Sequence, residues 1–191
     1  FSEQGLGDCI QFSKYLIPLT KIAKNVTFVT QDKLINLFGK KIKNLSIEVI
    51  ENCKNQKFDF KIKLGSLIKF FFKEKINDNE NLIQSNSLND LRWKNKLSNS
   101  KMNIGLVWSG SFNGTNEPYR SVPLSSFKKI LSLNANFYCL QNEIWDRDLD
   151  YFRSTNLIDY GRLNLDEIAS IIKNLDLIIT VDTSLLHLSA S

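Results

Sequence analysis

The residues with the clearest chemical potential are Asp182, Thr183, Ser184 and His187, which follow a short apolar run. This run, Leu177 to Val181, is rich in β-branched residues and predicts a strand buried on both faces of a parallel sheet. Asp, Thr and Ser cap helix N-termini, and the apolar residues after them predict a helix. Because a helix that begins at the end of a parallel strand directs backbone N–H groups toward the ligand crevice, we expect a phosphate group there.

His187 is the single histidine of the sequence and lies four residues after Thr183, on the same helix face. One interpretation makes it a ligand of the bound anion. The other makes it a histidine packed among the leucines of the core. The sequence alone leaves both open.

A second candidate for anion binding is the loop from Ser109 to Arg120, which follows the apolar strand predicted over Asn103 to Trp108. Backbone N–H groups at small residues such as Ser109 and Gly110, together with hydroxyl groups, can form an anion nest. The guanidinium of Arg120 can bind a phosphate through two hydrogen bonds. The alternative is an ordinary surface loop.

The start of the chain carries a third candidate, the glycine turn of Gly5, Leu6 and Gly7 with Asp8 behind it. The residues from Phe1 to Glu3 predict the end of a strand. Asp8 then predicts the N-cap of a helix that continues to about Ala23 and is kinked at Pro18. The dinucleotide fingerprint G-x-G-x-x-G fails because its third glycine position holds Ile10, which argues against a nicotinamide-dependent oxidoreductase.

No metal site is predicted. Asp146 and Asp148 have the D-x-D spacing of carboxylates that hold a divalent metal, but they fall in a charged helical stretch, which we interpret as a solvated face. The three cysteines, Cys9, Cys53 and Cys139, are scattered without a C-x-x-C pair. This pattern argues against a disulfide framework and a zinc site, and favours a reducing compartment.

Strands and helices alternate along all 191 residues, which predicts an α/β fold built of β-α-β units with mostly parallel sheets. The alternation restarts at Met102 after a polar stretch, so we predict two domains, 1–98 and 99–191. The sequence begins without methionine and stops about two turns into its last predicted helix. We therefore expect a fragment that is truncated at both ends.

The net charge of +5 is mild and spread along the chain. It suits an anionic substrate or an acidic membrane surface better than a nucleic acid, whose binders concentrate their charge. Lys69 to Lys75 form a basic and aromatic cluster. We favour phenylalanines in the core with solvated lysines; contact with a membrane surface or a lipid-linked acceptor is the alternative. No apolar run approaches the ~20 residues needed to span a bilayer.

Four motifs then carry a family resemblance. They are the runs Glu3 to Phe12, Gly105 to Gly110 with Arg120 to Leu124, Tyr138 to Gln141, and Asp182-Thr-Ser-x-x-His187. In this order they resemble the glycosyltransferase part of bacterial tetratricopeptide-repeat proteins, which is similar to the ADP-heptose:lipopolysaccharide heptosyltransferases of glycosyltransferase family nine.

The resemblance implies the GT-B fold, with an N-terminal Rossmann-like acceptor domain and a C-terminal Rossmann-like donor domain that lacks its last elements. Asp8 matches the family's candidate general base. The turn of Gly5, Leu6 and Gly7 matches the family's loop on the acceptor side. The residues matched to donor binding are Ser109, Gly110, Arg120, Gln141, Leu163, Asp182, Thr183, Ser184 and His187. Leu163 would pack against the nucleobase. Arg120 stands where heptosyltransferases commonly have lysine, which keeps the charge and changes the geometry.

The implied activity is metal-independent, inverting transfer of a sugar from a nucleotide diphosphate sugar to a glycan, a lipid-linked acceptor or a protein. No cofactor is expected, and the location implied is the cytoplasm, with peripheral contact to the inner membrane. The alternative is a non-catalytic nucleotide- or sugar-binding module of a repeat protein.

Overall fold

The computed structural model describes residues 1–2, 5–39, 41–74, 82–97, 100–112 and 120–191. The chain divides into two compact units, of which the first comprises residues 1–85 with 190–191 and the second residues 86–189. The division therefore falls between Ser85 and Asn86, earlier than the boundary near residue 98 that the sequence predicts.

The first unit combines a two-stranded parallel sheet with short helices. Val26 opposes Leu45 at one end of the strand pair and Thr30 opposes Val49 at the other. The strands are β1 (Val26–Thr30) and β2 (Leu45–Val49), and the helices are α1 (Leu6–Ser13), α2 (Leu16–Ile22), α3 (Asp32–Ile35), α4 (Ile50–Cys53) and α5 (Ile68–Phe71), with a 3-10 turn over Leu64–Leu67.

The structure of this unit differs from two predictions made from the sequence, one for a helix and one for a strand. The helix predicted from Asp8 to Ala23 is interrupted at Lys14 and Tyr15, so that Pro18 lies in the first turn of α2. Proline is tolerated there because the N–H groups of a first turn have no partner within the helix, whereas in the interior its ring would clash with the preceding turn.

The third strand predicted over Phe58 to Leu64 is not a strand in the structure. Its end still runs beside the start of the chain, because the Phe1 amino group donates to the Ile62 carbonyl and the Leu64 N–H donates to the Phe1 carbonyl. On the other side, the Ser2 N–H donates to the Val29 carbonyl of β1. Phe1 and Ser2 thus connect this segment to the sheet by strand-like hydrogen bonds.

The second unit is built on a four-stranded, all-parallel sheet whose spatial order is β5-β4-β3-β6. Its strands are β3 (Asn103–Val107), β4 (Asn136–Cys139), β5 (Ile158–Asp159) and β6 (Leu177–Thr180). Its helices are α6 (Ser87–Lys96), α7 (Lys128–Leu131, after a 3-10 turn over Leu124–Phe127), α8 (Asp146–Arg153), α9 (Leu165–Lys173) and α10 (Ser184–Ser189).

The central strand β3 is buried along its whole length, as expected for a parallel strand covered on both faces. Gly105 allows a close approach at its middle, since an added Cβ would lie 2.6 Å from a Leu140 methyl group and 2.7 Å from one of Leu175. The last strand, β6, is less buried than the sequence predicts. It is an edge strand of this sheet, and its Leu177 is 46% exposed.

Helix α6 explains the shift of the boundary. Lys173 on α9 donates to the Asp90 carboxylate at 2.7 Å, and Arg92 pairs with Glu167. Trp93 is buried and lies 4.9 Å from the Tyr160 ring, measured between centroids. The helix therefore belongs to the second unit, although the polar stretch that suggested a linker comes after it.

The basic and aromatic cluster also differs from the interpretation favoured above. Phe71 is buried, but Phe70 and Phe72 are 69% and 63% exposed, and Lys75 lies outside the described residues. Across the ranges that the structure describes, no helix combines the length and apolarity needed to cross a membrane.

Candidate functional site

The carboxyl ends of three neighbouring strands bring the candidate residues of the second unit together. Beyond β3 and its neighbours the parallel pairing continues, because the Leu140 N–H donates to the Leu106 carbonyl and the Val181 N–H to the Val107 carbonyl. The next residues are Ser109 and Gly110 after β3, Gln141 after β4 and Asp182 after β6. All of them therefore lie at one edge of the sheet, which we call the carboxyl edge.

Gln141 connects two strand ends at the carboxyl edge through its side chain. Its Oε1 accepts from the backbone N–H groups of Trp108 and Ser109, at 2.5 and 2.8 Å. Its Nε2 donates to the Ser109 hydroxyl at 2.8 Å and to the Glu143 carbonyl at 2.9 Å. Because Gln141 and Ser109 are both buried, these bonds fix the loop after β3 against the end of β4.

Arg120 reaches the carboxyl edge from the chain segment that follows the loop. Its Nη1 donates to the Asp182 carbonyl at 3.4 Å. The residues after it are fixed to the same loop, since the Ser121 hydroxyl accepts from the Gly110 N–H at 3.2 Å and the Val122 N–H donates to the Trp108 carbonyl at 2.9 Å. A cation is thus positioned at the end of β6. Residues 113–119 of the predicted loop lie outside the described residues.

The turn after β6 has the predicted strand–turn–helix order. Thr183 caps α10, because its hydroxyl accepts from the Leu185 N–H at 3.3 Å and its carbonyl accepts from the Leu186 N–H at 3.1 Å. Some of the N–H groups expected to meet an anion are therefore already used by Thr183. This makes the Arg120 guanidinium the stronger feature of the edge for binding an anion.

His187 is half-buried, and its Nε2 lies 3.9 Å from the exposed Asp182 carboxylate. Its neighbours Leu185 and Leu188 are the buried residues of α10, while Ser184 begins the helix. The imidazole therefore belongs to the border of the carboxyl edge and is not packed within the core.

The Leu163 backbone is hydrogen-bonded to the side chain of Asn142, the residue after Gln141, which the sequence analysis did not identify. The Asn142 side chain donates to the Leu163 carbonyl at 2.8 Å and accepts from the Leu163 N–H at 3.0 Å. An amide side chain shortly after a strand, next to another amide at Gln141, is the sequence signal that indicates it. The Leu163 side chain is half-buried.

Asp148 corrects the interpretation of the D-x-D spacing as a solvated face. It is 2% exposed, and its carboxylate accepts from Trp108 Nε1 at 3.1 Å and from the Leu124 N–H at 2.9 Å. Arg147 lies 3.6 Å from the same carboxylate. Asp148 thus joins α8 to the end of β3, whereas Asp146 is exposed. Among the residues that the structure describes, no cluster of three His, Cys, Asp or Glu side chains could hold a metal ion.

In the first unit, the glycine turn and Asp8 lie at the start of α1. The N-cap of this helix is not Asp8, although the sequence predicts that it is. Gly5 is the N-cap, and Leu6, Gly7 and Asp8 form the first turn. The Asp8 carboxylate is half-buried and lies close to Gly5, 3.7 Å from the position an added Cβ would take. A carboxylate in the first turn is favoured by the helix dipole, so Asp8 stabilises the helix without capping it. Glu3 and Gln4 lie outside the described residues.

The three cysteines are free thiols. Burial raises the pKa of Cys139 to about 12, although a hydrogen bond with the Gln141 backbone opposes the rise. Burial also raises the pKa of Cys9. Both thiols therefore stay protonated near neutral pH, which argues against their use as nucleophiles.

The fold is α/β with parallel sheets and is GT-B-like, the class of the solved structures it matches. One is the crystal structure of the glycosyl transferase family 9 from Veillonella parvula DSM 2008, with a TM-score of 0.69 and 16% sequence identity; the match covers 99% of this chain and 76% of that one. Another is the iron-containing dodecameric glycosyltransferase TibC from enterotoxigenic E. coli H10407, with a TM-score of 0.64 and 12% identity; the match covers 99% of this chain and 54% of that one.

The last part of the sequence matches the model of a protein family. Residues 134–191 match the model of glycosyltransferase family 9 (heptosyltransferase). These residues include Gln141, Leu163 and the turn from Asp182 to His187. No curated protein matches the chain.

Proposed function

We propose that the chain is the glycosyltransferase part of a protein that moves a sugar from a nucleotide diphosphate sugar to an acceptor. One observation carries the proposal. The Arg120 guanidinium donates to Asp182 of the Asp182–His187 turn, and the loop fixed by Gln141 lies at the same carboxyl edge. The family match over residues 134–191 supports it, because that range includes Gln141 and the whole Asp182–His187 turn.

The carboxyl edge would bind the donor diphosphate. When the bond from the anomeric carbon to the phosphate oxygen breaks, negative charge grows on the departing diphosphate. A guanidinium held in place stabilises that charge more than it stabilises the ground state, which lowers the barrier. His187, half-buried beside Asp182, would add a hydrogen-bond donor. In this proposal the cation takes the place of a divalent metal.

Leu163 would pack against the nucleobase, since Asn142 fixes its backbone beside Gln141. Ser109 and Gly110 would line the diphosphate from the loop after β3. Thr183 and Ser184 would complete the donor site from the turn after β6.

Asp8 is the proposed general base. It would take the proton of the acceptor hydroxyl as the oxygen attacks the anomeric carbon, so that the sugar is transferred with inversion. The proposal requires the Asp8 carboxylate to reach the acceptor hydroxyl when both substrates are bound. Such a base is typically worth roughly 10²–10⁴-fold in rate.

The finer identity of the substrates also belongs to the proposal. The resemblance to heptosyltransferases favours an ADP-linked sugar as donor, and Arg120 in place of lysine widens the set of donors to test. The acceptor is a glycan, a lipid-linked glycan or a protein. An association with tetratricopeptide repeats is a prediction from the same resemblance.

The experiment is a turnover assay with a panel of nucleotide sugars, in which release of nucleoside diphosphate is measured with and without candidate acceptors. We expect slow release with at least one donor and faster release with an acceptor. Tight binding of a nucleoside diphosphate with no release from any sugar donor would instead support a non-catalytic binding module.

A further inference from the structure

The first unit carries a solvent-facing surface that the proposed function does not use. It consists of Ile68, Lys69, Phe70, Phe72 and Lys73, and we call it the aromatic–basic face. Phe70 is 69% exposed, Phe72 63% and Ile68 37%. Three large apolar side chains in five residues are therefore open to water, which is unusual for residues of this size.

The aromatic–basic face is not a frayed segment, because its inner side is anchored in the core. Leu64, Leu67 and Phe71 are 3%, 1% and 9% exposed, at a spacing of three and four residues. This spacing places them on one side of the helical turns, so the residues between them must face outward. The fold thus holds Phe70 and Phe72 in the solvent.

The charged residues along this stretch of the sequence have one sign. From Lys61 to Lys73 the sequence contains four lysines and no acidic residue, and the nearest carboxylates in sequence are Asp59 and Glu74. The Lys73 ammonium lies 5.5 Å from the centroid of the Phe72 ring, so charge and aromatic surface are adjacent. In the segment before it, Phe60 is 93% exposed.

We propose that the aromatic–basic face binds the surface of an anionic lipid bilayer. Exposed aromatic side chains gain free energy by entering the boundary between headgroups and acyl chains, and lysines beside them are attracted to anionic headgroups. The long lysine side chains lie along apolar surface while their ammonium groups stay among the headgroups. A nucleic acid would use the lysines but would not require two phenylalanines held in the solvent by a buried anchor.

The test is co-sedimentation of the 191-residue chain with vesicles, without nucleotide, so that it is independent of the proposed function. We expect binding to vesicles of phosphatidylglycerol mixed with phosphatidylcholine and weaker binding to pure phosphatidylcholine. The double variants Phe70→Ser/Phe72→Ser and Lys69→Glu/Lys73→Glu should each lower the partition coefficient by at least ~10-fold.

Two matched variants control for surface change elsewhere. Leu88→Ser/Leu91→Ser removes two exposed apolar side chains, and Lys128→Glu/Lys129→Glu makes the same change in net charge. Both should bind vesicles like the wild type, and a thermal melt checks that every variant is folded. The proposal is overturned if the wild type fails to bind anionic vesicles, or if the face variants bind as well as the controls. Binding to an oligonucleotide without binding to vesicles would overturn it in favour of a nucleic acid.

Discussion

Gln141 holds Ser109 by two hydrogen bonds of opposite direction, since its Oε1 accepts from the Ser109 N–H and its Nε2 donates to the Ser109 hydroxyl. The side-chain amide supplies both the acceptor and the donor at this place. The pair joins the ends of β3 and β4, so the shape of the carboxyl edge depends on it. Gln141, which is proposed to line the donor site, therefore also stabilises the fold around that site.

Gln141→Met keeps the volume of the side chain and removes its hydrogen bonds. Because the N–H groups of Trp108 and Ser109 would be buried without a partner, we expect the free energy of unfolding to fall by about 2–4 kcal/mol. Urea denaturation measures it. Gln56→Met is the control, because the Gln56 side chain bonds the Asn52 carbonyl on an exposed surface. A Gln141→Met protein as stable as the control would show that the edge does not depend on this side chain.

Asp148→Asn tests the assignment of that carboxylate as a structural acceptor. An amide would turn a donor toward either Trp108 Nε1 or the Leu124 N–H, so we expect a loss of about 1–3 kcal/mol of unfolding free energy. Asp146→Asn, at the exposed position of the same spacing, should change stability by less than ~0.5 kcal/mol. If the two variants lost the same unfolding free energy, the assignment of Asp148 as a structural acceptor would be contradicted.

Cys139 predicts a dependence of stability on alkaline pH. Its pKa is about 12 in the folded chain and 9.0 ordinarily, so both states keep the thiol proton below pH 9.0. Above that pH the unfolded chain loses the proton while the folded chain keeps it, and stability falls by about 1.4 kcal/mol per pH unit from this group. The difference in unfolding free energy between wild type and Cys139→Ala should shrink by about 1.4 kcal/mol between roughly pH 8 and pH 10. A constant difference would contradict the buried, protonated thiol.

The sequence predicted the order of elements in the second unit because each apolar run there is a strand with a helix behind it. It failed where burial depends on partners distant in the chain. Asp148 looks solvated in its own helix, and only the folded chain brings the Trp108 indole and the Leu124 N–H to it. The same holds for Phe70 and Phe72, since three successive phenylalanines do not reveal which one faces the core.

At the site, residue types placed directly after strands could be predicted, because the carboxyl ends of parallel strands share one edge. Asn142 was missed because its partner, Leu163, lies twenty-one residues away. The N-cap was assigned to Asp8 since aspartate is the better cap, yet Gly5 takes that position and leaves Asp8 inside the first turn.

Asp8→Asn separates catalysis from helix stability. Loss of a first-turn charge should cost at most ~1 kcal/mol of unfolding free energy. An amide accepts no proton near neutral pH, so a catalytic Asp8 predicts a fall of at least ~100-fold in sugar transfer. The control is Asp32→Asn, which removes a first-turn carboxylate from α3 of the same unit. Equal transfer by Asp8→Asn and Asp32→Asn would leave Asp8 with a structural role only.

The most direct test of the central claim is calorimetric titration of the chain with ADP, GDP and UDP in the presence of a metal chelator. We expect at least one nucleoside diphosphate to bind under these conditions. Arg120→Ala should weaken that binding by about 1.5–3 kcal/mol, the range for a hydrogen bond to a charged group. Arg153→Ala, whose guanidinium is exposed on α8, should bind as the wild type does. Binding that disappears with chelator, or that is equal in the two arginine variants, would contradict a metal-independent donor site at the carboxyl edge.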